Sequence, residues 1–114
     1  MDAAKVLDGL VSLANADWIA LWMIVDDVET QLCPDDDEET LEITVTLVEG
    51  LLARGLLAGD PPVTGDEVCF SAWPNQEPGA VGEYIRREWK RRGGPPGWGD
   101  APWFAERLSV SGHA

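Results

Sequence analysis

Apolar residues recur along the chain at helical spacing, and polar residues fill the intervals between them. Val6, Leu10 and Leu13 stand at i, i+4 and i+7, with Leu7, Val11 and Ala14 on the adjoining stripe, which predicts a helix over 3–14. Gly9 lowers its intrinsic propensity. A second helix is expected from Trp18 to about Leu32, capped by Asn15 or Asp17. Trp18, Leu21, Trp22, Val25, Val28 and Leu32 form its broad apolar face, and Asp26, Asp27, Glu29 and Gln31 lie mainly off that face. Pro34 ends it, because the residue before a proline avoids the helical region. A third helix is expected over about 37–54, where Leu41, Val45, Val48 and Leu52 keep the period. Residues 42–46 (EITVT) alternate and are β-branched, which also suits a strand. The acid-rich start and the glycine at Gly55 favour the helix.

Beyond Gly55 the signals change. Leu56–Ala58 reads as a short strand, residues 59–67 (GDPPVTGDE) as a turn, and Val68–Trp73 as a second strand, so the two make a hairpin. A fourth helix is expected over Pro78–Arg92, with Val81, Ile85 and Trp89 at i, i+4 and i+8 and Tyr84 beside them. The segment GGPPGWGDAPWF reads as an irregular tail that Trp98, Trp103 and Phe104 fold back onto the domain. The expected fold class is therefore α+β, mostly helical, in a single domain over 1–114.

Three helices followed by a hairpin, with LVEGLLARGLLAGD running from helix into strand, resembles a winged helix. The resemblance covers about residues 3–73. It implies a winged-helix-like core of three helices and a β-hairpin, with an added C-terminal helix and aromatic packing tail over 78–110. Over a longer span, DWIALW, TLEITVTLVEGLLARGLLAGD, SAWP, IRREWKRRG and a closing PWF resemble small acidic bacterial proteins of uncharacterised activity, some suspected of immunity (toxin-neutralising) roles. No active-site motif comes with either resemblance.

Charge separates the function classes. The formal net charge is -13, and residues 1–60 hold 14 acidic side chains against only Lys5 and Arg54. A field of that sign repels phosphate backbones and anionic lipid and attracts cationic surfaces. DNA-reading winged helices meet phosphates with basic side chains around the third helix. Here that helix opens on Asp35, Asp36, Asp37, Glu38, Glu39 and Glu42, and Arg54 stands at the wrong end. The expected partner is a basic protein, with no nucleic acid and no membrane. Its contact residues are expected to be Asp26, Asp27, Asp35, Asp36, Asp37, Glu38, Glu39 and Glu42, with Trp73 and Trp98 as anchors beside proline- and glycine-rich turns. Acidity for solubility alone is the competing explanation, and burial under the tail competes for the two tryptophans. Trp18, Trp22 and Trp89 sit at core spacing.

The basic residues concentrate in one place. Arg86, Arg87, Lys90, Arg91 and Arg92 lie on the fourth helix, with Glu83 one turn before Arg87. This helix reads as a solvated face, or as one that docks on the acidic helices of the same chain or of a second copy. A self-associating structural or regulatory domain is accordingly the second functional reading, and a DNA-binding regulator ranks below it.

Catalytic chemistry finds little support. His113, the only histidine, is the penultimate residue, where no third group orients it. The consecutive acids at 35–39 lack the alternate spacing and turn glycine of a calcium loop. No enzyme activity, cofactor or metal is expected. Cys33 and Cys69 form no C-x-x-C and read as buried or semi-buried thiols of a reducing cytoplasm. The apolar run from Trp18 to Val25 is too short to span a bilayer, and MDAAKVLDGL lacks the basic start of a leader.

Overall fold

The segment that reads as either helix or strand is a helix. The computed structural model describes residues 3–16, 18–60, 71–94 and 102–106, and in it α3 spans Asp37–Ala53. Asp36 caps this helix: its carboxylate accepts from Glu39 N–H at 2.8 Å, and Glu39 accepts in return from Asp35 N–H at 3.1 Å. One orphan amide of the helix, Glu39 N–H, and the Asp35 amide just ahead of the cap are thereby satisfied. The strand-like alternation has a packing cause. Thr40, Leu41, Thr44, Val45, Leu47, Val48 and Leu51 are all buried, so α3 hides two adjoining stripes and shows no single sharp one. Gly55 follows the helix at φ 94°, a left-handed conformation that glycine adopts without penalty.

Around α3 stand α1 (Ala3–Ala16), β1 (Ile19–Ala20), α2 (Leu21–Asp27) with a π-helical turn at Val28–Leu32, β2 (Leu56–Asp60), β3 (Ser71–Ala72), α4 (Pro78–Arg92) and β4 (Trp103–Glu106). The chain is α+β and mostly helical. Two helices differ in detail from expectation. In α1 the core stripe is Val6, Leu10 and Ala14, and Leu13 is 40% exposed. The helix expected from Trp18 begins only at Leu21, because Ile19 and Ala20 are taken into the sheet. Within it Trp22 is 37% exposed, while Ile24 and Val28 are fully buried. The π-turn carries the chain to Cys33, at φ 47°, just before Pro34. Cys33 is exposed, contrary to the expectation of a buried thiol.

The sheet contains the larger correction. Its order is β1-β4-β2-β3, with antiparallel pairing throughout. The expected hairpin exists only at its far end, where Gly59 faces Ala72 and Asp60 faces Ser71; residues 61–70 lie outside those described. Leu56, Leu57 and Ala58 pair instead with Glu106, Ala105 and Phe104. The same β4 pairs on its other edge with Ile19 and Ala20. Residues 103–106 are thus an inner strand of the sheet, not an irregular tail. Phe104 and Ala105 are both fully buried, so both faces of β4 are covered and no period-2 pattern appears.

Beyond the two residues of β3, a side chain continues the ladder. Ala58 N–H donates to Gln76 Oε1 at 2.7 Å, and Gln76 Nε2 donates to Ala58 O and to Trp73 O, each at 2.8 Å. Trp73 N–H itself donates to Ala58 O at 2.9 Å, so the carboxamide stands in for the return bond, from Ala58 N–H to Trp73 O.

The fourth helix lies along α3. Pro78 occupies its first turn, and Gly93 closes it at φ 79°. Val81, Gly82, Ile85 and Trp89 are buried. A Cβ on Gly82 would stand 3.0 Å from Val45 Cγ1, so the absence of a side chain sets how closely the two helices approach.

Replacing Phe104 with alanine deletes the largest fully buried side chain among the described residues. Urea unfolding is expected to show a loss of about 3–5 kcal/mol, against less than about 0.5 kcal/mol for Leu13→Ala. Equal, small losses from both would return 103–106 to the periphery.

Candidate functional site

The acidic residues singled out by sequence fall into two groups. Four of them are engaged inside the fold. Asp36 and Glu39 form the reciprocal cap of α3. Asp37 Oδ2 accepts from the Trp89 indole N–H at 2.8 Å. Glu42 receives both Arg86 Nε, at 3.1 Å, and Arg86 Nη2, at 2.8 Å, in a bidentate pair between α3 and α4. That pair holds the Glu42 carboxyl below its ordinary value, chiefly through the Arg86 hydrogen bonds.

Asp26, Asp35 and Glu38 are exposed and carry no ion pair or side-chain hydrogen bond among the described residues; the same is true of Glu29, which was not singled out. Asp27 is half-buried. Its pKa is raised by loss of water, against a hydrogen bond from Gln31 that lowers it, and Asp26 adds to the rise. Glu29, Pro34, Asp36, Asp37 and Thr40 line a cleft of about 270 Å³. Among the described residues no group of three or more histidines, cysteines or carboxylates is placed to hold a metal ion. What this arrangement offers is carboxylate oxygens for a cationic side chain.

On α4 the basic residues divide in the same way. Arg86 pairs with Glu42 and lies 3.9 Å from Glu83. Arg91 pairs with Glu88 at 2.6 Å. The expected Glu83–Arg87 pair does not form; the Arg87 guanidinium lies 5.7 Å from the Tyr84 ring centroid. Burial, with Glu88 and Asp60 nearby, raises the pKa of the Tyr84 phenol. Of the basic residues on this helix, Arg86 is the one that pairs with the acidic helix α3 among the described residues.

Trp73 is half-buried. Its indole N–H donates to Asp60 at 2.9 Å, and its ring meets Tyr84 edge-on with centroids 4.8 Å apart. Trp98, Cys69 and His113 lie outside the described residues. Sequence reasoning placed Tyr84 beside the core stripe of α4 and gave it no further role, and it missed Gln76. The spacing of Ala80, Tyr84 and Arg87 at i, i+4 and i+7 marks a second stripe on α4 that was available to single out Tyr84. No local signal marks Gln76.

No protein-family model, curated protein or solved structure matches the chain.

Two carboxylates give opposite pH signatures. Asp27 holds its proton more tightly when folded, so its contribution is whole below its unfolded pKa and is lost as pH rises through the folded one. Asp27→Asn is therefore expected to raise the Tm at neutral pH and to leave it unchanged near about pH 3. Glu42 has the reverse sign: its contribution is present above the unfolded pKa and lost as pH falls through the lowered folded one. Glu42→Gln is expected to lower the Tm at neutral pH, by the small amount of an exposed pair, and to converge with the native chain in acid. Calorimetry at the two pH values checks both. Repulsion among the acids of residues 1–60 is screened as the Debye length shortens from about 30 Å at 0.01 M salt to about 8 Å at 0.15 M. The Tm is accordingly expected to rise over that range; a flat profile would mean that the open acids are already compensated.

Proposed function

We propose that this chain is a non-catalytic protein-binding domain whose acidic face engages and neutralises or regulates a basic partner, in the manner of an immunity protein. The observation that carries the reading is the set of carboxylates without an ion pair among the described residues at Asp26, Glu29, Asp35 and Glu38, of which Glu29 lines the cleft with Pro34, Asp36 and Asp37 and the others are close to these in sequence. Within the fold, Asp36, Asp37, Glu39 and Glu42 hold their own positions, so steering of a partner falls to the open acids. Trp22, exposed on α2, supplies an apolar element on the same helix as Asp26 and Asp27.

The core of this domain is winged-helix-like in our reading: three helices come first and an antiparallel strand pair follows. In DNA-reading members of that architecture the third helix enters the major groove. Here α4 lies on α3 through Gly82 against Val45 and through Arg86 on Glu42. An occluded, acidic third helix supports a protein partner over DNA. Among the described residues no helix is long and apolar enough to cross a membrane. Self-association is the second reading, favoured by Arg87 and Lys90, which have no carboxylate within ion-pair distance among the described residues.

The test is affinity capture from the native host with the full chain, followed by association kinetics with the protein captured. Changing Asp26, Asp35 and Glu38 together to their amides is expected to slow association several-fold while leaving the circular dichroism spectrum intact. Arg87→Gln with Arg91→Gln is expected to leave association unchanged or faster. Absence of any basic protein among those captured, or loss of binding to a basic one on the arginine changes alone, would overturn the reading.

A further inference from the structure

A second face is independent of the acidic one. Trp73, Pro74, Asn75, Ala80, Val81, Tyr84 and Arg87 line a groove of about 250 Å³ between the β3–α4 connection and the outer stripe of α4. We propose that this groove docks an extended, proline-bearing, acidic segment of a partner protein, with the Trp73 and Tyr84 rings as the proline seat and Arg87 as the carboxylate anchor.

The walls are held in place before any ligand arrives. Trp73 is fixed at three points: its N–H donates to Ala58 O at 2.9 Å, its carbonyl accepts from Gln76, and its indole N–H donates to Asp60. Tyr84 meets the Trp73 ring at 67° with centroids 4.8 Å apart, which leaves an angled aromatic floor. Rigid aromatic surfaces of this kind suit the proline ring, and a polyproline-type segment arrives already extended with little entropy to lose. At about 250 Å³ the groove is small beside an ordinary small-molecule pocket of roughly 300–1,000 Å³, which suits one or two residues of a chain segment better than a whole enclosed ligand.

Charge selects the segment. Arg86 is paired with Glu42 and Arg91 with Glu88. Arg87, on the groove wall, has no carboxylate within ion-pair distance among the described residues, and Lys90 stands one turn further along α4 in the same condition. A guanidinium flanking an aromatic seat recognises a carboxylate and disfavours a lysine there. The net negative charge of the chain opposes such a ligand at long range, and Asp60 and Glu88 stand near the aromatic seat, so with screening over about 8 Å at physiological salt the attraction is confined to a carboxylate in direct contact with Arg87.

The test uses the full chain and three fluorescein-labelled synthetic peptides: one alternating alanine and proline and ending in two glutamates, one ending in two lysines instead, and one with the prolines replaced by alanine. Fluorescence anisotropy is read at about 0.15 M salt, with sedimentation velocity on the unlabelled chain. The acidic proline peptide is expected to bind at least about tenfold tighter than either control. Arg87→Glu is expected to abolish that preference and to favour the lysine peptide, with an unchanged circular dichroism spectrum. Tyr84→Leu is expected to weaken the acidic proline peptide and bring it level with the alanine control. The triple amide change at Asp26, Asp35 and Glu38 is expected to leave peptide binding unaltered, which separates this face from the acidic one. Equal binding of the three peptides, binding of none, or indifference to Arg87→Glu would overturn the proposal. So would a concentration-dependent dimer abolished by Arg87→Glu, since a second copy would then be the occupant.

Discussion

The close approach of α4 to α3 at Gly82 is the constraint from which the rest of the surface follows. A helix pair meets at short range only where one partner lacks a side chain at the crossing, and Val45 fills the space that Gly82 leaves. Once the helices are at that distance, Arg86 reaches Glu42 and the Trp89 indole reaches Asp37. The same contact turns Val81, Ile85 and Trp89 inward and leaves Ala80, Tyr84 and Arg87 on the outer stripe. One steric condition thus decides both which charges are spent inside the chain and where its aromatic groove lies.

The acidic run shows how little a cluster of like charges says until its contacts are known. Consecutive carboxylates at 35–39 look equivalent in sequence. In the fold, Asp36 and Glu39 cap a helix, Asp37 accepts from an indole, and Asp35 and Glu38 face water. A capping acid acts over hydrogen-bond distance and stabilises its own helix. An unpartnered acid acts through its field over a Debye length and is available to a partner. The two kinds sit side by side because the first turn of a helix points successive side chains about 100° apart, so neighbours in sequence meet different surroundings.

Closure of the sheet follows a similar logic. A two-residue β1 and a two-residue β3 have little independent stability. They persist because β4 is paired on both edges and because Gln76 completes the outer side of β2. The buried Phe104 ties that strand to Ile19 and Ala58, so the last described segment of the chain organises the first strand.

What the sequence determined by itself was local. Helical period and end signals sufficed for α3 and α4, because capping acids, a glycine past the C-terminus and a proline at the start act within a few residues of where they are written. The -13 charge and its concentration in the first half were equally plain. Tertiary structure decided what depends on residues far apart. Ile19 and Ala20 read as helix until β4 draws them into the sheet. Phe104 and Ala105 read as tail because a strand covered on both faces carries no alternation. Leu13 and Trp22 fit an apolar stripe that packing then left at the surface. The division of the acids into structural and open sets required the position of Arg86 and Trp89, 44 and 52 residues away from their partners. Periodicity reports which side of an element is dry, but a pairing partner across the fold is chosen by distance in space, and only the packed chain supplies that distance.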